Sequence, residues 1–264
     1  MRLSISNIAW TTENDEKVYY LMKDYDFEGL EIAPTKIIPE KPYDNIEQVR
    51  IWSADIKKKY GFNISSMQSI WYNRQEHLFG EEKERLFLLE YTKKAIDFAN
   101  SIECGNIVFG CPRNRVIKDK DDYKIAVDFF RELGEYSASK KTVIGLEANP
   151  PIYNTNFIND TDSAIELIKE VGSEGFKLNL DVGTMLENHE TINILRGNEA
   201  CINHVHISEP GLKTVISHSL HEELKDLLYT AGYTGYISVE MGKTDDLNEL
   251  KRVMDYVHKV FYDI

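Results

Sequence analysis

The sequence repeats one pattern eight times, a short β-rich run followed by a helical stretch, and this repetition limits the fold more than any other feature. The predicted strands lie at residues 4–8, 29–33, 63–68, 106–110, 143–148, 177–182, 203–208 and 237–241. Their centres are about 25 to 42 residues apart, the spacing expected when a crossover helix follows each strand. Eight such units favour one α/β domain over residues 1–264, a single (β/α)8 TIM barrel in which every strand has two neighbours.

A doubly wound open sheet is the alternative arrangement of parallel strands. That fold normally carries a glycine-rich phosphate-binding turn after the first strand. The corresponding residues 7–10 read Asn-Ile-Ala-Trp and contain no glycine. The closed barrel is therefore the preferred prediction.

Composition and charge exclude several classes of partner. The formal net charge is −13 at pH 7, and a surface this acidic repels phosphate backbones, so we expect no nucleic-acid binding. No run approaches the roughly 18 apolar residues of a membrane helix, and residues 1–6 are typical of a strand rather than a signal peptide. Cys104, Cys111 and Cys201 are far apart and form no CxxC pair. We therefore expect a cytoplasmic protein with neither a disulfide framework nor a structural zinc site.

The last four predicted strands alternate apolar and polar residues, so each has one apolar and one polar face. In a barrel the apolar face packs against the outer helices, and the polar face therefore points to the barrel axis. The inward polar residues at the carboxyl ends of these strands are Glu147, Asp181, His206 and Glu240.

These four residues form the predicted metal site. Three carboxylates and a neutral imidazole suit one divalent ion, Mn²⁺, Mg²⁺ or Co²⁺, and are also compatible with Zn²⁺. The alternative is that they form salt bridges with one another or with Lys177, but three converging carboxylates without a cation would repel one another. His204 faces the same way one layer deeper, and we expect it to orient a ligand by hydrogen bonding rather than to bind the ion.

The chain resembles the sugar phosphate isomerase/epimerase superfamily of xylose isomerase-like barrels, which includes tagatose and psicose 3-epimerases, hydroxypyruvate isomerase and inosose dehydratase. The resemblance covers essentially the whole chain. The segments that carry it are Phe27-Glu28-Gly29-Leu30-Glu31, Gly145-Leu146-Glu147, Asn179-Leu180-Asp181, His204-Val205-His206 and Ile237-Ser238-Val239-Glu240. Their order and spacing are specific for the superfamily but not for one reaction.

The resemblance implies a metal held by Glu147, Asp181, His206 and Glu240. It further implies that the two glutamates exchange protons with a substrate carbon while the metal stabilises an enediolate. One departure is Thr184, which stands where the epimerases usually carry a histidine that contacts substrate oxygen. This change weakens the ketose 3-epimerase interpretation and leaves Thr184 a supporting role beside Asp181. It also argues against the trinuclear zinc centre of endonuclease IV, as does the absence of histidine on the third and fourth predicted strands.

The loops at the carboxyl end of the predicted barrel supply candidate substrate contacts. Trp71 follows the third strand, and Arg113 and Arg115 follow the fourth. An aromatic ring suits stacking on a sugar, and arginines suit a phosphate or carboxylate. The alternative for both arginines is pairing with surface acids such as Asp119 or Asp121.

Four further residues are candidate substrate contacts. Glu31 faces inward on the second strand, with a role in supporting the site as its alternative, and Asn149 follows Glu147 by two residues. Glu209 and His218 lie in or beyond the loop after the seventh strand, and His218 is equally compatible with capping the next helix.

The sequence thus predicts a metal-dependent isomerase or epimerase that acts on a sugar or sugar derivative through an enediolate. A dehydratase of a keto-inositol or keto-acid is the alternative on the same scaffold, and a non-catalytic sugar-binding barrel is the alternative of another class. The expected partner is a small carbohydrate. A homodimer is a possible assembly, because dimers are the commonest closed form, but the sequence identifies no interface.

Overall fold

A computed structural model describes residues 1–262 and contains a closed parallel barrel of eight strands in sequential order, β1 to β8. Strand β1 pairs with both β2 and β8, so the predicted closed barrel is confirmed and the open-sheet alternative is wrong. The strands are β1 Arg2–Ser6, β2 Phe27–Ile32, β3 Asn63–Met67, β4 Ile107–Phe109, β5 Ile144–Leu146, β6 Phe176–Asp181, β7 Ile202–Ile207 and β8 Tyr236–Val239.

Helices follow the strands and surround the barrel. They are α1 Asp15–Asp24, α2 Pro34–Ile37, α3 Ile46–Tyr60, α4 Glu82–Ser101, α5 Asp122–Ser139, α6 Thr161–Val171, α7 Val182–Glu187, α8 Ser219–Thr230 and α9 Leu247–Phe261. The long helices bury an apolar stripe, as α9 does with Leu250, Val253 and Val257. Two helices end at a glycine in the left-handed conformation, α3 at Gly61 and α6 at Gly172, because a side chain is strained at these positive φ angles.

The predicted alternation of faces also holds in the folded strands. Outward residues such as Leu178 and Leu180 join the fully buried apolar layer between barrel and helices. Asp181 is in register with His206, and β8 runs beside β7, so the carboxyl ends of these strands meet at one end of the barrel. This register brings residues distant in sequence to a common point on the axis.

Small polar side chains fill much of the barrel interior below that point. The Ser4 and Ser65 hydroxyls lie 2.6 Å apart, and Asn106 donates from Nδ2 to the Ser66 hydroxyl at 2.9 Å. These groups are buried and satisfy one another, so the interior can be polar without a large desolvation cost. Among residues 1–262, no helix combines the length and apolar character needed to cross a membrane.

Gly175, directly before β6, is packed against the backbone of α5. A Cβ built there would lie 2.6 Å from the Ala138 amide nitrogen and would also meet the Gly134 carbonyl oxygen. We expect Gly175→Ala to lower the free energy of unfolding by about 2 kcal/mol or more, because backbone atoms cannot move aside. The matched control is Gly105→Ala, since a Cβ at Gly105 meets nothing within 4 Å. Urea unfolding followed by circular dichroism checks both variants, and equal midpoints would contradict the prediction.

His221 in α8 is buried, with Nδ1 2.8 Å from the Tyr256 hydroxyl of α9. Burial, and then the neighbouring His218, lower the pKa of His221 to about 4, while Glu222 opposes the shift. The unfolded pKa is about 6.5, so the unfolded chain binds the proton more readily between these values and stability falls as pH drops from about 6.5 to about 4.

Between these pH values we expect the free energy of unfolding to fall by on the order of 3 kcal/mol less in His221→Leu than in wild type. The measurement is urea unfolding at several pH values for wild type and variant. Other groups titrate in both proteins, so the difference between the two curves isolates His221. Parallel curves between pH 4 and 6.5 would show that His221 does not contribute.

Candidate metal centre

Four side chains from consecutive strands converge at the carboxyl end of the barrel: Glu147, Asp181, His206 and Glu240. One potential ligand atom from each lies within 4.8 Å of those from the other three. Asp181 and His206 are in β6 and β7, whereas Glu147 and Glu240 each follow directly after their strands, β5 and β8. The strand ends therefore bring together all four residues that the alternation predicts.

The orientation of His206 separates its two ring nitrogens. Nδ1 faces the cluster, 3.1 Å from Glu147 Oε2 and 3.3 Å from Glu240 Oε2. Nε2 faces the opposite way and lies 2.9 Å from Glu31 Oε2. Nδ1 is consequently the nitrogen available to an ion, while an Nε2–H donated to Glu31 fixes the ring, an arrangement common at metal-binding histidines.

Glu31 lies beneath the cluster and is fully buried. Its Oε2 is 3.0 Å from His204 Nε2, and its Oε1 accepts a hydrogen bond from Gln68 Nε2 at 2.8 Å. Burial alone would raise the pKa of Glu31, but the charge of His206 and hydrogen bonds from both histidines bring it well below its usual range. The enclosed and hydrogen-bonded carboxylate of Glu31 suits the alternative expectation, a role in supporting the site, and a contact with substrate stays a prediction.

Electrostatic repulsion is strong among the three carboxylates. Burial, followed by the charges of Glu147 and Glu240, raises the pKa of Asp181 to about 7. Burial also raises the pKa of Glu240, although His206 partly offsets the effect. A cation at their centre would relieve this repulsion, so the donor set fits a hard or borderline divalent ion.

Hydrogen bonds from neighbouring residues hold Asp181. Its Oδ2 accepts from the Ser208 hydroxyl at 2.7 Å, and its Oδ1 accepts from the Thr184 backbone N–H at 2.5 Å. The Thr184 hydroxyl donates instead to the Ala148 carbonyl oxygen at 2.8 Å. Thr184 thus contacts Asp181 through its backbone, while its side chain is turned to β5.

Two asparagines hold Glu147. Asn149 donates from Nδ2 to Oε1 at 2.9 Å, and Asn179 donates from Nδ2 to Oε2 at 3.0 Å. Gly110 leaves room for this carboxylate, because a Cβ there would lie 2.9 Å from Oε1. Asn149 is therefore bonded to a cluster residue and buried, rather than free to meet substrate.

The structure also corrects the role expected of Trp71. The indole is buried, donates from Nε1 to the Thr92 hydroxyl at 2.8 Å, and packs edge-on against Phe109. Thr92 is in α4, and Phe109 joins the apolar layer outside the barrel. Trp71 accordingly packs between barrel and helix and does not present a face for sugar stacking.

The two arginines after β4 differ completely in environment. Arg113 is exposed, whereas Arg115 is fully buried and donates from Nη2 to the Glu147 carbonyl oxygen and Asn149 Oδ1, both at 2.7 Å. Arg115 therefore has no exposed N–H group with which to bind a substrate phosphate or carboxylate. The alternative expectation, pairing with Asp119 or Asp121, is also not met, because its hydrogen bonds go to Glu147 and Asn149.

Glu209 and His218 contact each other in the loop after β7. Glu209 Oε1 lies 2.8 Å from His218 Nε2 and accepts from the Ile216 backbone N–H at 3.1 Å. His218 occupies the N-cap position of α8, but its side chain makes no capping hydrogen bond. The pair closes this loop on itself, and a role in binding substrate stays a prediction.

Several residues near the cluster have no role in the sequence prediction. Asn179 and Ser208 lie on the inward faces already identified, so the alternation contained the signal for both. Tyr153 has no such signal, because it belongs to a short 3₁₀ turn, Pro151–Tyr153, whose direction no periodicity reveals. Its hydroxyl accepts from the Gly211 N–H at 2.8 Å, and burial, with lesser effects from the cluster carboxylates, raises its pKa to about 12.

Solved structures with the same fold include three of interest. 3-Keto-D-glucoside 4-epimerase YcjR from E. coli superposes with a TM-score of 0.78 at 22% identity, over 98% of this chain and 99% of that one. D-Psicose 3-epimerase from Clostridium cellulolyticum H10 gives 0.77 at 16% identity, over 99% of both chains. The probable 3-DHS dehydratase AsbF from Bacillus anthracis gives 0.67 at 17% identity, over 98% of both chains. At these identities the likeness establishes the fold.

Comparison with curated protein sequences finds no match. The sequence profile of one family, by contrast, matches residues 20–259, which is most of the chain. The resemblance inferred from the strand-end motifs is thereby confirmed at family level. The chain belongs to the xylose isomerase-like TIM barrel family.

Proposed function

We propose that this protein is a metal-dependent isomerase or epimerase of a sugar or sugar derivative. The observation that carries the proposal is the convergence of three carboxylates and His206 Nδ1 within 4.8 Å at the carboxyl end of the barrel. Active sites of this fold are built at that end. Family membership and the likeness to two sugar epimerases support the same class of reaction.

Glu147, Asp181, His206 and Glu240 would hold the ion in this proposal. A bound Mn²⁺, Mg²⁺ or Co²⁺, or alternatively Zn²⁺, would polarise a substrate carbonyl and stabilise the negative charge that develops on its oxygen. Asp181 and His206 are held by Ser208 and Glu31, so their contribution is to fix the geometry.

Glu147 and Glu240 would move the proton. One glutamate removes a proton from the carbon beside the carbonyl. In an isomerisation either glutamate returns it to the adjacent carbon, whereas in an epimerisation the other glutamate returns it to the opposite face of the same carbon. Glu240 is buried beside His206 Nδ1, which holds the carboxylate at the site, and a carboxylate so placed can act as a general base. Both side chains are only 11% exposed, so water has little access to the proton in transit.

A dehydratase is the second candidate, because the environment of Thr184 weakens the ketose 3-epimerase interpretation. Thr184 stands where the epimerases usually carry a histidine, and its hydroxyl is already donated to the Ala148 carbonyl oxygen. A lyase would use the same glutamate base but expel a β-hydroxyl group after proton removal. The likeness to a probable 3-DHS dehydratase is consistent with this alternative.

The metal site is tested by metal content. We expect wild type to hold about one divalent ion per chain after incubation with Mn²⁺, Co²⁺ or Zn²⁺, and His206→Ala and Glu240→Gln to hold much less, because each removes one of four donors. Elemental analysis after gel filtration measures the content. His77→Ala, which alters a half-exposed histidine beside Glu84, is the control and should match wild type. An empty wild-type protein would overturn the metal mechanism.

The reaction is tested by incubating free sugars, sugar phosphates and uronates with the metal-loaded protein in deuterated water. Isomerisation or epimerisation incorporates deuterium into recovered sugar without loss of water, whereas dehydration produces an ultraviolet-absorbing enone. We expect Glu240→Gln to reduce the exchange rate at least about 100-fold even with Mn²⁺ in excess, because the amide cannot accept the proton and is also a poorer metal ligand. Glu223→Gln on the exposed surface of α8 is the control. Undiminished exchange in Glu240→Gln would exclude Glu240 as a proton carrier.

A further inference from the structure

Arg115 is a buried cation with no carboxylate among its hydrogen-bond acceptors. It is fully enclosed, and its Nε and Nη1 have no hydrogen-bond partner. Burial lowers the pKa of Arg115 to about 10, so the guanidinium stays protonated at neutral pH. A charge held this way costs folding free energy, which suggests a role other than stability.

The two bonds that Arg115 makes both come from Nη2. One goes to the Glu147 backbone carbonyl oxygen and one to Asn149 Oδ1, each at 2.7 Å. A guanidinium can only donate, so it must face the amide oxygen of Asn149 and not its nitrogen. Arg115 thereby sets which way the Asn149 amide points.

The orientation of Asn149 in turn determines what Glu147 encounters. With Oδ1 on Arg115, the Nδ2 group faces Glu147 Oε1 and donates to it at 2.9 Å. The opposite orientation would place NH₂ against the guanidinium and the amide oxygen against the carboxylate, which is repulsive at both ends. Oε1 is thus occupied from one side, and Oε2 is directed to His206 Nδ1 at 3.1 Å.

We propose that Arg115 is a positioning residue for Glu147 that acts through the Asn149 amide, not a substrate contact. The inference rests on the proposed function, because the property it explains is the affinity of the site for a divalent ion. Misalignment of the hydrogen-bond partners of a metal ligand typically costs 10–100-fold in metal affinity.

The test is a double-mutant cycle on Mn²⁺ affinity, measured from the electron paramagnetic resonance signal of free Mn²⁺. Arg115→Met and Asn149→Leu should each weaken binding 10–100-fold. The double variant should bind no more weakly than the weaker single variant, since both changes interrupt the same connection. If the two substitutions caused independent structural defects, the loss of Mn²⁺ affinity in the double variant would instead be the product of the two single losses.

Arg115→Lys and Thr155→Val are the matched controls. The lysine ammonium keeps a positive donor but ends one bond short of Nη2, so the Mn²⁺ affinity of this variant should lie between those of wild type and Arg115→Met. Thr155 donates from Oγ1 to the Arg115 carbonyl oxygen at 2.9 Å, and its valine variant disturbs the same segment without altering the guanidinium. Its Mn²⁺ affinity should be that of wild type.

Circular dichroism of the metal-free proteins reports folding separately. If Arg115→Met does not fold, the Mn²⁺ affinities of Asn149→Leu and Arg115→Lys, each compared with wild type, decide the question. Wild-type affinity in Asn149→Leu, multiplied losses in the double variant, or an equal loss in Thr155→Val would each overturn the positioning role alone. If wild type itself binds no Mn²⁺, the proposed function fails and the positioning role is overturned with it.

Discussion

Repulsion among three carboxylates at the barrel mouth is the constraint on which the rest of the site depends. Glu147, Asp181 and Glu240 are brought together by the strand register, and burial, with the charges of its two neighbours, raises the pKa of Asp181, as expected where like charges converge. Hydrogen bonds hold two of these carboxylates, from Asn149 and Asn179 to Glu147 and from Ser208 to Asp181. His206 lies between the cluster and Glu31, with Nδ1 facing Glu147 and Glu240 and Nε2 bonded to Glu31 below. The arrangement of these carboxylates around His206 therefore fits a bound cation.

The polar barrel interior follows from that requirement. A layer of branched apolar side chains beneath the mouth would leave Glu31 buried without donors, which is unfavourable for a carboxylate. Gln68 and His204 supply those donors instead. Below them, serine and asparagine side chains bond to one another, as Ser4 does with Ser65. The core that stabilises the fold consequently lies outside the barrel, between strands and helices, where Phe109 and Phe176 are fully buried.

The sequence predicts the strand-derived part of this site well and the loop-derived part poorly, for a physical reason. Alternation along a strand fixes which side chains face the axis, and a closed barrel fixes where the axis is, so the convergence of Asp181 with His206 follows from the pattern. Side chains in a loop, by contrast, follow no periodic pattern that predicts which way they point. Proximity in sequence predicts Trp71 and Arg115 at the mouth, yet one turns outward to Thr92 and the other turns inward to Asn149. Alternation predicts that Glu31 faces the axis, but its depth along the axis depends on strand stagger, which alternation does not specify.

Hydrogen bonds also join the loops around the mouth to one another. Tyr153 after β5 accepts from the Gly211 N–H after β7, and the Gly242 N–H after β8 donates to the Leu212 carbonyl oxygen at 2.7 Å. Under the proposed function, the strands would fix the reacting groups and this connected set of loops would select the substrate. Changes in the loops could then alter the substrate without disturbing the cluster.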